Sequence, residues 1–183
     1  MAVLQAQEVV VKAVLLNKMK HYINYILLVL PLIGFSQNSI QEVLKKYNSE
    51  SIPYITAAEL ASNANNFLIL DARELNEYKI SHLKASVFVG YENFDTKTVI
   101  KKVTNKNQPI VVYCSVGVRS EDIAEQLKKA GFTNIKNLYG GIFEWKNLDF
   151  DVYNSKGQVT DSVHTFSEKW SKWLKKGTKV YTH

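Results

Sequence analysis

The segment Ile110-Val111-Val112-Tyr113, introduced by Pro109 and running straight into Cys114, constrains the fold more than any other part of the chain. A short, unbroken apolar run rich in β-branched residues suits a strand buried on both faces, as parallel sheets require. Phe67-Leu68-Ile69-Leu70, ending at Asp71, has the same character, and Val87-Phe88-Val89 and Ile135 to Leu138 read as two further short strands. Helical signals lie between them. Thr56 with Glu59 makes a capping box ahead of Leu60, so a helix is expected from about Ala57. Val99, Ile100 and Val103 recur at helical spacing, and Ile123, Ala124, Leu127 and Ala130 share one face of a helix that Gly131 ends. Gly140-Gly141 marks a tight turn, with a last short helix opening over Ile142 to Trp145. Strands alternating with helices demand right-handed crossovers. The expected fold class is therefore α/β: three layers, α/β/α, around a mainly parallel sheet of about five strands.

A chain of 183 residues is long enough for one domain of ordinary size. The formal net charge of +6 is spread without a dense Lys/Arg run, so a nucleic-acid partner is not expected. There is a single cysteine, which rules out a disulfide within the chain. No Cys-x-x-Cys pair or His/Cys cluster suggests a metal site.

The amino-terminal end reads as an address. Met19-Lys20-His21 begins a short basic stretch, Ile23 to Phe35 is mostly apolar, and Gly34-Phe35-Ser36 places small residues three before and one before a cut ahead of Gln37. That layout is a secretory signal peptide, so residues 1–36 are expected to be removed and the protein exported to a periplasm or secreted. An uncleaved membrane anchor is the alternative, although a spanning helix needs about 20 apolar residues. Residues 1–18 fit this layout poorly, and Met19 is the expected start. Residues 37–53 are expected to be a polar linker.

The chemistry concentrates at Cys114-Ser115-Val116-Gly117-Val118-Arg119, between a buried strand and a helix amino terminus. Ligand sites in open parallel sheets lie beyond the carboxyl ends of the strands. The turn exposes backbone N–H groups with no intrahelical partner, and these, the helix dipole and Arg119 all favour negative charge. A cysteine there is expected as a reactive thiolate in a cradle sized for a small anion. Gly117 permits the curl. The bland alternative is a small buried hydrophobe at a strand end.

The sequence resembles the rhodanese family over about residues 54–150. The six residues Cys114 to Arg119 match the length of that family's catalytic loop. Asp71-Ala72-Arg73 followed by Glu77-Tyr78 and His82 is similar to its first signature, and Ser120 to Leu127, Gly131-Phe132, Leu138, Gly140-Gly141 and Trp145 look like the region after the loop. Two departures stand out: Ser81-His82-Leu83-Lys84-Ala85-Ser86 replaces a Gly-His-Ile-Pro-Gly-Ala segment, and Ser115 stands where arginine is frequent. The resemblance implies a sulfurtransferase. Cys114 would take a sulfur from a small anionic donor such as thiosulfate and pass it, as a persulfide, to a thiol or cyanide. Ser115, Val116, Gly117, Val118 and Arg119 would form the substrate-binding loop, with no metal and no organic cofactor. Arg119 is expected to hold the loop or to bind the donor. Asp71 and Arg73 are expected to form a supporting ion pair near the site, Glu77 to pack or hydrogen-bond, and His82 to stabilise a turn. A thiol acceptor or reductant is the expected partner. The alternatives on this fold are a small-oxyanion enzyme, phosphatase or arsenate reductase, and a non-catalytic binding module.

The tail, residues 151–183, differs in character. Lys156-Gly157 marks a turn. Thr165 with Glu168 forms a second capping box, and Phe166, Trp170, Trp173 and Leu174 fall on one face of the amphipathic helix expected there. That helix is expected to dock on the domain, membrane contact being the less favoured reading.

Overall fold

The computed structural model describes residues 39–181. Five strands, β1 (Tyr54–Ile55), β2 (Leu68–Asp71), β3 (Val87–Phe88), β4 (Ile110–Tyr113) and β5 (Ile135–Leu138), form one sheet in the order β1-β5-β4-β2-β3. Every neighbouring pair is parallel. The expected mainly parallel α/β architecture is therefore present, with β1 supplying a strand that its short sequence does not announce.

Central β4 shows why an unbroken apolar run was needed. All four of its residues are fully buried. Val111 and Tyr113 join one core, with Leu60, Ile69, Leu138, Ile142 and Phe143. Ile110 and Val112 join the other, with Leu70, Val99, Ile123, Ala124 and Leu127. Side chains alternate across the strand, and both faces are covered by helices: α2 (Ala57–Asn63), α4 (Thr96–Lys102), α5 (Arg119–Lys129) and α6 (Gly141–Asn147) supply the packing residues. The remaining helices before the tail are α1 (Ile40–Tyr47) and α3 (Leu75–Ile80). The Thr56/Glu59 capping box starts α2, with Thr56 Oγ1 accepting from the Glu59 N–H at 3.2 Å and Glu59 Oε2 accepting from the Thr56 N–H at 2.9 Å. Gly131 closes α5 with φ +92°, an angle that glycine adopts without strain.

Two expectations are corrected. The linker assigned to 37–53 contains α1, which opens on a capping box between Ser39 and Glu42 and buries Val43 and Leu44. Burial of that pair on one face outweighs the polarity of the rest. The second correction concerns the tail. Thr165 does not cap a helix: it is fully buried and extends a strand, its N–H donating to Val180 O at 2.9 Å. The tail is instead an antiparallel hairpin, β6 (Val152–Tyr153) with β7 (Val159–Thr160), then a parallel pair, β8 (Ser162–His164) with β9 (Thr178–Val180). A single helical turn, α7 (Glu168–Ser171), follows Ser167. The hairpin turn falls at Asn154–Gly157, where the Gly157 N–H donates to Asn154 O at 2.9 Å. Trp173 and Leu174 are buried in the core and Trp170 packs against it, whereas Phe166 stays 53% exposed. Among the described residues no helix is long and apolar enough to cross a membrane. The Ile23 to Phe35 run and the proposed cleavage point lie outside them.

Candidate active site

Cys114 follows β4 directly, and five residues later Arg119 begins α5. The chain reverses between them because Gly117 takes φ +107°, in the left-handed region that other residues avoid. A Cβ there would lie 3.2 Å from Leu44 Cδ2 and 3.3 Å from Leu138 O. The loop carbonyls are tied to surrounding structure. Cys114 O accepts from the Ile142 N–H at 2.9 Å and Ser115 O from the Phe143 N–H at 3.1 Å, so the first turn of α6 holds the loop's outer edge. Gly117 O accepts from the side-chain amides of Asn137 and Asn48, at 2.8 and 2.9 Å.

With its carbonyl so anchored, Gly117 directs its N–H at Cys114 Sγ, 3.1 Å away. Of the N–H groups that the turn exposes, the one at Gly117 meets the sulfur directly. A second polar group is Ser120 Oγ, 3.5 Å from Sγ and 2.7 Å from Asn137 Oδ1. A hydroxyl has one proton, so the two contacts compete for it. Neither Ser120 nor Asn137 was singled out in the sequence, since a serine inside a helix and an asparagine inside a strand carry no signal of their own. Cys114 is only 1% exposed, yet it lines a cavity of about 190 Å³ with Ser115, Val116, Val118 and Arg119.

Arg119 does not reach freely into the cavity. It grips Glu77 on α3 with both arms, Nη1 to Oε2 at 2.7 Å and Nη2 to Oε1 at 2.8 Å. Ser115 joins them, donating to Glu77 Oε1 at 3.1 Å and accepting from Arg119 Nη2 at 3.0 Å. Of the two roles open to Arg119, the geometry favours holding the loop. Glu77 is 1% exposed. Burial opposes its charge, but the Arg119 hydrogen bonds and the charges of Arg119 and Arg73 outweigh that and hold its carboxyl below the usual range. Burial likewise opposes the Arg119 charge, and the Glu77 contact and the nearby Cys114 sulfur raise its pKa in spite of it.

Asp71 and Arg73 pair in full burial beneath the loop strand. Arg73 donates from Nε to Oδ1 at 2.9 Å and from Nη2 to Oδ2 at 2.6 Å, and also from Nη2 to Ser81 O at 2.7 Å. The Tyr113 hydroxyl donates to the same carboxylate. Burial, then the Asp71 charge, pushes the Tyr113 phenol well up, so it stays a donor. This network locks the end of β2 against the end of β4, one residue before Cys114. His82 sits in its turn, stacked on Tyr78 at 4.1 Å, with Nδ1 3.0 Å from Tyr78 O and its backbone paired with Tyr153. Among the described residues no cluster of three or more His, Cys, Asp or Glu side chains is placed to hold a metal ion.

Fold and site together define a parallel α/β domain that presents one cysteine on a strand-to-helix loop. The chain belongs to the rhodanese-like domain family, whose model matches residues 56–148, about half of the sequence. It is 39% identical over 88 residues to a tRNA uridine(34) hydroxylase from Aster yellows witches'-broom phytoplasma, a match covering 46% of this chain and 29% of that protein. It is 30% identical over 101 residues to the putative sulfur carrier protein YrkF of Bacillus subtilis, covering 54% and 53%. Against the thiosulfate sulfurtransferase GlpE of Coxiella burnetii it is 26% identical over 97 residues, covering 53% of this chain and 87% of that one. The chain thus spans less than a third of the length of the hydroxylases it matches and about half of the sulfur carrier. A Pseudomonas aeruginosa thiosulfate sulfurtransferase structure superposes with a TM-score of 0.54 at 19% identity, covering 74% of this chain and 25% of that one. A Bacillus halodurans structure superposes with a TM-score of 0.52 at 21% identity, covering 65% and 89%. These two establish the shared fold.

Proposed function

We propose that the protein is a sulfurtransferase that carries sulfur on Cys114. The observation that carries this reading is the Gly117 N–H aimed at Cys114 Sγ from 3.1 Å, on a loop that lines a cavity. Such a donor stabilises negative charge that gathers on Sγ during transfer, in the manner of an oxyanion hole. The thiolate attacks the outer sulfur of a donor such as thiosulfate. The donor's S–S bond breaks, sulfite leaves with the electron pair, and Cys114 holds the transferred sulfur. A nucleophilic acceptor, cyanide in an assay or a thiol in the cell, then attacks that sulfur and Sγ leaves as the thiolate. Similarity to a putative sulfur carrier and to thiosulfate sulfurtransferases supports the same chemistry.

The geometry disfavours a phosphatase or arsenate reductase. A phosphoryl or arsenate group must have its oxygens bound as its central atom reacts, whereas thiosulfate need present only its outer sulfur to Sγ, and the one guanidinium of the loop is held by Glu77. Turnover with thiosulfate, an aryl phosphate and arsenate separates the three. Thiocyanate formation from thiosulfate and cyanide, lost in Cys114→Ala, is expected; turnover of the phosphate alone would reject the assignment.

Export belongs to the same proposal and rests on the layout of residues 19–36. Outside the cytosol a lone thiolate needs a dedicated thiol partner to stay reduced. Amino-terminal sequencing of native protein is expected to start at Gln37, and a start at Ala2 would overturn export by cleavage.

A further inference from the structure

Two residues beyond the segment that matches the family, Phe166 and Trp170, line the Cys114 cavity. Val116 and Val118 line it as well. Arg119 is the one charged side chain among the described residues that line the cavity, and both its arms are committed to Glu77. The ring of Phe166 lies 5.0 Å from its guanidinium carbon and further covers it. The cavity thus offers an entering acceptor apolar walls and no unpaired cation with which to hold a charged body.

Phe166 is held there at a steric cost. Its φ is +61°, a conformation that bulky side chains seldom adopt and that persists where the surroundings enforce it, commonly at functional sites. Its N–H donates to His164 Nδ1 at 3.1 Å, and its neighbours are pinned by Thr165 N–H to Val180 O at 2.9 Å and Ser167 N–H to Thr165 O at 2.6 Å. Trp170 is braced between Tyr47 and Trp173, with ring centroids 6.2 and 5.1 Å away. The tail thus holds an aromatic wall beside the sulfur.

We propose that Phe166 and Trp170 determine specificity, selecting as sulfur acceptor an organic thiol with an uncharged aromatic or aliphatic body over hydrophilic, anionic thiols. The proposal rests on the persulfide reading above and names the acceptor class for it. The acceptor thiolate attacks the outer sulfur of the Cys114 persulfide. A new S–S bond forms as the Sγ–S bond breaks, the electron pair returns to Sγ, and the acceptor departs as a persulfide, with no external oxidant or reductant. The apolar body gains by leaving water as the thiol enters.

The test uses the full chain loaded with sulfur and compares kcat/KM for benzyl mercaptan and 2-mercaptoethanesulfonate. The expected preference for benzyl mercaptan is about tenfold or more, the scale on which apolar pockets discriminate. Phe166→Ala should erase most of it, chiefly through KM, while Phe166→Leu keeps most of it. Equal rates in the wild type, or a preference unchanged in Phe166→Ala, would overturn the proposal. Alkylation of the single cysteine by N-phenylmaleimide against a sulfonated maleimide reads the same cavity without sulfur transfer. Efficient sulfur loading with no discrimination in either comparison rejects the acceptor class alone. Failure to load sulfur rejects the sulfurtransferase reading and the acceptor class with it, even if the maleimide ratio shows an apolar cavity.

Discussion

Glu77 and Arg119, 42 residues apart in sequence, meet in a two-armed ion pair at 2.7 and 2.8 Å that fastens the start of α5 to α3 beside Cys114. The pair is largely shielded, with side-chain exposures of 16% for Arg119 and 2% for Glu77. Removing one partner of such a pair leaves the other desolvated and uncompensated. Glu77→Gln is therefore expected to lower unfolding free energy by about 3 kcal/mol and to slow sulfur transfer by loosening the loop at Ser115. Denaturant unfolding and a single-turnover assay on the same preparation check both effects.

The same carboxyl predicts the direction of acid sensitivity. Its folded-state pKa lies below the ordinary 4.5, because the Arg119 and Arg73 interactions overcome burial. A carboxyl with a depressed folded pKa stabilises the fold above its unfolded value, and that contribution disappears as pH falls through the folded value. Wild-type stability should decline below pH 4.5, and the decline should be shallower in Glu77→Gln. Melting temperatures from pH 7 down to about pH 3 measure the two slopes; parallel curves would contradict the role given to Glu77.

Gly141 is a second point of leverage. With φ +56° it brings the first turn of α6 against the loop, and a Cβ there would lie 2.3 Å from Cys114 O and 2.7 Å from Ser115 O. Both are backbone atoms, so the loop itself would have to shift. Gly141→Ala is expected to destabilise by about 3 kcal/mol and to break the bonds from Ile142 and Phe143 to the loop carbonyls. Loss of activity disproportionate to the fraction unfolded, with restored amide exchange at those two positions, is the expected signature.

Ser120→Ala removes the hydroxyl 3.5 Å from Sγ. It also leaves Asn137 Oδ1 without that donor, which costs about 1–3 kcal/mol when buried. Sulfur uptake should slow about tenfold, the equivalent of one hydrogen bond to a charged group. A rate equal to wild type at full folding would show that the hydroxyl serves Asn137 alone.

The strands that matter were legible because burial on both faces writes itself as an unbroken apolar run, as in β2 and β4. The Cys114 loop was legible because a cysteine, a glycine and an arginine stood together between a strand and a helix. What escaped notice depends on contacts between distant residues. Nothing local marks Glu77 as the partner of Arg119, or Asn137 and Asn48 as ligands of the Gly117 carbonyl. The tail misled for a related reason: Thr165 and Glu168 have capping-box spacing, but pairing of β8 with β9 claims the Thr165 backbone first. Helix α1 was obscured by its charge, with only Val43 and Leu44 buried along it.

The central claim is that Cys114 carries sulfur, and intact-protein mass spectrometry after incubation with thiosulfate tests it most directly. A gain of one sulfur atom is predicted on the wild type, located to the peptide containing Cys114, reversed by cyanide and absent from Cys114→Ala. No sulfur gained by folded, reduced wild-type protein, or the same gain in Cys114→Ala, would contradict the account.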